Sequence, residues 1–300
     1  MSKKNTESRG IDTISRYVAG VDGSADGLRA VEYATRGALV VNGSVHLVHA
    51  VDVAVMAGAW GAIQDVEAME KAGQQTVERA VARAIELGIP SDRITSEVVM
   101  GNPTAVLSDA SKSADRLVVG RRRMGGLERM FVGSTSASLA AVANCPLIVI
   151  SAAVNPDETG GRKVVAVGVD GEGHSETTLR AALTEARSRG ARIIVTHIQP
   201  AVPVGMFGGY QLTADAEREL LSDARTAITE MVTRVAGEHP DVETEVLVQT
   251  GDPVDRLVEL SREVDLLILG MRAPTVLGFA IGGMTRAVLA HAESPLMVVR

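Results

Sequence analysis

Three hundred residues suffice for two ordinary domains, each with a core of its own. Apolar residues make up 46% of the chain and charged ones 22%, which excludes a disordered protein, and with only 2% aromatics the core must be built from Val, Ile, Leu and Ala. A net charge of −7 argues against nucleic acid or an anionic membrane as partner, and a lone cysteine, Cys145, excludes an internal disulfide.

Residues 1–14 are polar, lack the apolar run of a signal peptide, and read as a disordered tail. No stretch reaches the length of a membrane span, so no membrane is expected and the chain is placed in the cytoplasm. Short β-branched runs at residues 17–21, 45–51, 97–100, 117–120 and 147–150 are expected to be strands. Longer stretches at 28–40, 63–87, 103–111 and 134–143 have helical periodicity. Such alternation, with apolar strands, implies a parallel sheet covered by helices on both faces. Residues 152–162, with Pro156, paired glycines and charge, read as a linker between a unit at 15–151 and a second at 163–300.

The second unit repeats the first. YVAGVDG at Tyr17 returns as VVAVGVDG at Val164, and VHLVHAVD at Val45 as RIIVTHIQ at Arg192. MGNPTAVLSDAS at Met100, ADRLVVGRRR at Ala114 and NCPLIVI at Asn144 also recur in order, roughly 150 residues later. Each unit ends on a wholly apolar strand with no helix after it. At a sheet edge that strand needs a partner, and the other unit's equivalent is the nearest one. The expected fold is two doubly wound domains of five parallel strands each, paired through their last strands.

Ligands of open α/β sheets bind beyond the carboxyl ends of the strands, where the strand order reverses. There the first unit carries Val21-Asp22-Gly23-Ser24, then Gly120 followed by Arg121-Arg122-Arg123, then Gly133-Ser134-Thr135-Ser136 opening a helix. Glycines admit close backbone approach, and a helix start offers free N–H groups and a positive dipole end. Together they form an anion cradle suited to phosphates. The rival reading of the arginines is a solvated charge run, and Asp22 and Asp170 read equally well as turn supports.

The spacing Gly120 … Gly133-Ser134, with the VDGS end of the first strand, LVHA in the second and CPLIVI in the last, resembles the universal stress protein family. The resemblance covers nearly the whole chain in tandem form. It implies an adenine nucleotide alpha hydrolase-like fold and ATP, with or without Mg, as ligand, without a redox cofactor. Val21 and Asp22 would meet the nucleoside, and the main chain of Ala50 the adenine edge. Val119, Gly120, Gly133, Ser134, Thr135 and Ser136 would hold ribose and phosphates. The family's second glycine is Arg123 here, which would offer a charge in place of close approach. In the second unit Val169, Asp170, Ile198, Gly270 and Gly282 stand at the equivalent places, and Thr285 keeps a hydroxyl nearby. Ala273 replaces the second glycine, and Gly283 and Met284 replace Ser134 and Thr135. The first unit is therefore expected to be the better site.

His46 and His49 stand three apart on a strand, on opposite faces, so they cannot share a metal, and no metal site or catalytic residue is expected. His49 and His197 are equivalent and read as structural. Glycine-rich segments at 56–61 and 206–210 hold Trp60, Phe207 and Tyr210 and read as lids, partner surfaces or plain loops. A Gly-x4-Gly-Lys-Ser/Thr loop, a Gly-x-Gly-x-x-Gly fingerprint and a Gly-x-Ser-x-Gly elbow are all missing. The functional expectation is a stress-response sensor or interaction module that binds nucleotide and self-associates or meets another protein. A nucleotide-independent oligomeric scaffold and a slow ATP hydrolase are the alternatives.

Overall fold

The computed structural model describes residues 15–52, 66–121, 133–155, 160–200, 213–271 and 282–300. The first unit runs β1 (Arg16–Gly20), α1 (Ala25–Val40), β2 (Ser44–Val51), α2 (Val66–Glu86), β3 (Ile94–Met100), α3 (Pro103–Ala110), β4 (Arg116–Gly120), α4 (Ser134–Val142) and β5 (Leu147–Ile150). The second repeats the order as β6 (Val164–Gly168), α5 (His174–Arg189), β7 (Arg192–Pro200), α6 (Ala214–Ala236), β8 (Thr244–Gly251), α7 (Pro253–Ser261), β9 (Leu266–Gly270), α8 (Gly283–His291) and β10 (Leu296–Val299).

Local chemistry sets the helix boundaries. Ser24 caps α1 by accepting from the Gly27 N–H, so α1 begins at Ala25, earlier than its apolar periodicity suggests. Asn102 and Asp252 cap α3 and α7 in the same way, each followed by a proline, which has no N–H to lose at that position. β3 starts at Ile94, three residues before the expected run, because Thr95, Ser96 and Glu97 lie exposed on a strand that pairs with β2 alone. Edge exposure hides the alternation that a sequence pattern relies on.

The ten described strands form one sheet in the order β3-β2-β1-β4-β5-β10-β9-β6-β7-β8. Pairing is parallel inside each unit. Among the described strands it is antiparallel only where β5 meets β10, with Ile148 opposite Met297. The two last strands thus close on each other as expected, across a pseudo-two-fold axis.

Every residue of β5 and β10 is buried. Alternation along the strands makes two apolar layers, one per face. One holds Tyr17, Ile148, Val165 and Met297 under α1, α2, α5 and α6. The other holds Val18, Val149, Val164 and Val298 over α3, α4, α7 and α8. Both layers run through both units. The segment between the units is tied down as well. Val154 is buried in the first layer, and the Asp265 carboxylate accepts from Arg162 N at 3.3 Å and Val164 N at 3.1 Å.

Candidate functional site

β2 and β3 lie on one side of β1, and β4 and β5 on the other, so the strand order of the first unit reverses between β1 and β4. The chain leaves β1 through Val21 and Asp22. Val21 is buried, its N–H bonds Val48 O at 2.9 Å, and its carbonyl oxygen lies 2.6 Å from His49 Nδ1. Asp22 is exposed at the mouth, and its Oδ1 accepts from Ser24 N at 3.0 Å and Ser24 Oγ at 2.5 Å. Gly23 turns the chain with φ +77°. A Cβ on Gly27 would collide with Asp22 Oδ1, so the missing side chain lets the carboxylate rest against the start of α1.

Gly120 ends β4 on the other wall. A Cβ there would stand 2.5 Å from Asp26 C and 2.7 Å from both Asp26 O and Gly27 N. This glycine therefore lets β4 touch the first turn of α1, and its immediate role is packing. Val119 is buried in the core, which leaves only its main chain for a ligand. On the far wall, Val48 O faces β1 and Val51 O faces β3, where it accepts from Gly101 N. Main-chain direction alternates along a strand, so Ala50 turns its N–H and C=O toward the crevice, beyond the end of β1.

The third wall is the start of α4. Gly133 is its N-cap without a side-chain capping bond, and the first helical bond runs from Ala137 N to Gly133 O. The N–H groups of Ser134, Thr135 and Ser136 precede that bond and are left for a ligand or solvent. Ser134 is exposed and Thr135 half-buried. Ser136 is different: it is 2% exposed and its hydroxyl donates to Gly133 O at 3.1 Å, so it braces the turn.

The arginine triplet divides. Arg121 reaches into the other unit: its Nη1 donates to Leu289 O at 2.8 Å and to Ala290 O at 2.5 Å, at the end of α8. Arg122 and Arg123 lie outside the described residues, as do Arg272, Ala273 and the two glycine-rich segments with Trp60, Phe207 and Tyr210.

The second unit keeps the frame and changes its furniture. His197 Nδ1 lies 3.0 Å from Val169 O, matching His49, so both histidines clamp the carbonyl before the aspartate. Ile198 takes the place of Ala50, because Val169 N bonds Thr196 O as Val21 N bonds Val48 O. Asp170 Oδ1 accepts from Ser175 Oγ at 2.7 Å and Glu172 N at 3.0 Å, and His174 Nε2 stands 3.2 Å from Asp170 Oδ2. A Cβ on Gly270 would meet Thr178 Oγ1, and His174 Cδ2 at 3.3 Å, where the first unit offers only backbone. Gly282 and Gly283 face open space, and Thr285 is buried like Ser136. Ligating atoms of Asp170, Glu172 and His174 lie within 4.8 Å of one another, a grouping that weighing histidine pairs does not reveal. Its carboxylate at Asp170 is already engaged by the start of α5.

Burial pushes the Cys145 thiol up to about 12, so it stays protonated and inert. Among the described residues no helix is long and apolar enough to cross a membrane.

Comparison with known proteins agrees with this frame. The universal stress protein family matches twice, over residues 13–151 and 161–300. A universal stress protein of Mycobacterium tuberculosis is 31% identical over 296 residues, covering 94% of this chain and 96% of that one. One from Mycolicibacterium smegmatis is 28% identical over 290 residues, covering 94% and 96%. Among solved structures, a universal stress protein from Archaeoglobus fulgidus superposes with a TM-score of 0.68 at 16% identity, covering 95% of this chain and 96% of that one. The chain belongs to the universal stress protein family, with two of its domains in tandem.

Proposed function

We propose that the first unit binds an adenine nucleotide, ATP or a close relative with or without magnesium, and that the chain acts as a cytoplasmic stress sensor or interaction module. One observation carries the reading. At the point where the strand order reverses, the Asp22 turn, the outward main chain of Ala50 and the open N–H groups of α4 converge on one crevice. The parts suit a nucleotide. Ala50 offers a main-chain donor and acceptor for a base edge, Asp22 an acceptor for ribose hydroxyls, and Ser134 and Thr135 donors for phosphate oxygens. The reading assigns no catalytic residue.

A specific observation sets the second unit apart. Both aspartates accept from a serine, but His174 also stands against Asp170, and helix α8 opens with Gly283 and Met284, which bring no hydroxyl. We assign it weak or no nucleotide binding.

The test is mass spectrometry of nucleotide released from the purified chain, followed by titration of the stripped protein with ATP. One site per chain is expected, weakened about tenfold or more by Asp22→Ala, the equivalent of about 1.4 kcal/mol. Two equal sites would overturn the asymmetry, and neither release nor binding would leave the oligomeric scaffold. ATP turnover compared between Gly133→Val and the unaltered chain decides the hydrolase reading.

A further inference from the structure

At the opposite end of the sheet from the crevice, the two units share a buried ionic network that has no counterpart across the pseudo-two-fold. Glu185 on α5 is 1% exposed, and its carboxylate is held by Arg189 on its own helix and by Arg116 from β4 of the first unit. Arg189 Nη2 then donates to Tyr33 OH of α1 at 3.1 Å, and Tyr33 is buried as well. The repeat shows what the pseudo-two-fold places at the matching spots. Gly37 stands for Glu185, Val41 for Arg189, Leu266 for Arg116 and Ala181 for Tyr33. Elsewhere on the shared surface β5 against β10 is apolar on both sides, and Arg121 and Arg300 donate to main-chain carbonyls at the ends of α8 and α4, acceptors that either unit's helix offers.

The geometry points to this network as the element that makes a first unit pair with a second unit and with nothing else. Pairing two first units would bury Arg116 opposite Gly37 and Val41, with no carboxylate across the interface. Pairing two second units would place Glu185 opposite Leu266 and leave Arg189 facing Ala181 in place of a hydroxyl. Pairing two first units thus strips Arg116 of its carboxylate, which is strongly unfavourable, while pairing two second units keeps Glu185 with Arg189 but forfeits Arg116 and the Tyr33 hydroxyl, so only the mixed pair satisfies all four groups. The surface formed by Tyr33 and Arg116 therefore fits an α5-type helix carrying Glu185 and Arg189. It rejects a second copy of itself, including the equivalent face of another chain of this kind. The short connection between the units favours the same pairing by proximity. The network acts in addition and does not need the tether.

The experiment removes the tether. A protease site placed between the exposed Gly160 and Gly161 lets the folded chain be cut, its halves separated in urea and re-paired by dialysis, and the pairs weighed by native mass spectrometry. The cut native chain is expected to return almost wholly as mixed pairs. Replacing the network by apolar groups (Arg116→Leu, Glu185→Ala, Arg189→Val, Tyr33→Phe) should let mixed pairs fall toward about half, as random partnering requires. Arg116→Leu alone leaves Glu185 paired with Arg189 on its own helix, keeps the fold safe, and should scramble partway. Homotypic pairs from the native chain, or full retention of mixed pairs by both variants, would overturn the assignment.

Discussion

Single residues at the crevice show which features belong to packing and which are available to a ligand. Gly120 looks like a phosphate-loop glycine, yet the atoms that forbid a side chain there are the backbone of Asp26 and Gly27. Backbone cannot rotate away as a flexible side chain can, so Gly120→Ala should destabilise the chain by about 1–3 kcal/mol. Gly282, at the start of α8, has φ −62°, and a methyl group there would meet nothing within 4 Å. Gly282→Ala should stay within about 0.5 kcal/mol of the native chain. Urea midpoints of the two variants check the contrast, and an equal loss in both would contradict the packing role given to Gly120.

Elements add a second layer, because each cradle helix is held at its far end by the other unit. Arg121 donates to the last carbonyls of α8, and Arg300 Nη1 donates to Ala143 O at 3.0 Å, at the end of α4. A guanidinium there meets both the open carbonyls and the negative end of the helix dipole. Arg121→Ala should therefore cost about 1–2 kcal/mol of stability. It should leave ATP affinity of the first unit nearly unchanged, because its Nη1 is committed to the carbonyls of α8 in the other unit. A tenfold loss of affinity with stability intact would return Arg121 to the phosphates. This residue marks the limit of sequence reading. The periodic runs, the repeat and the strand-end turns lie within short windows, so β1, β2, β4 and β5 and the Asp22 and Ser134 walls were legible from local pattern. Partners far apart in the chain were not. Arg121 and Leu289 are 168 residues apart, and Arg116 and Glu185 are 69 apart. Each looks like an ordinary surface charge until the fold brings its partner across. The early part of β3 was lost for a different reason, since its exposed Thr95, Ser96 and Glu97 carry no apolar signal.

At the scale of the molecule, the two domains are one structural body. Both apolar layers cross from β5 to β10 without a break, and Glu185 of one unit neutralises Arg116 of the other. Opening either half would expose Ile148 and Met297 and separate the buried charges, so the halves should unfold together. Glu185 also sets how that unfolding responds to acid. Burial alone would raise its carboxyl, but the guanidinium groups of Arg189 and Arg116 outweigh burial and hold it below the usual carboxylate range. A carboxylate whose folded value is depressed stabilises the native state fully above its unfolded value, near about 4.3, and loses that contribution as pH falls through the lower folded value. The native chain should therefore lose stability steeply below about pH 4. Glu185→Gln should be less stable by about 3 kcal/mol at neutral pH and show a shallower decline in acid, because its proton uptake is gone. Hydrogen exchange read by mass spectrometry across that range follows both halves at once. Protection should vanish from β1 and β4 at the same pH as from β6 and β9; one half opening while the other stays protected would show two independent domains joined only by a strand.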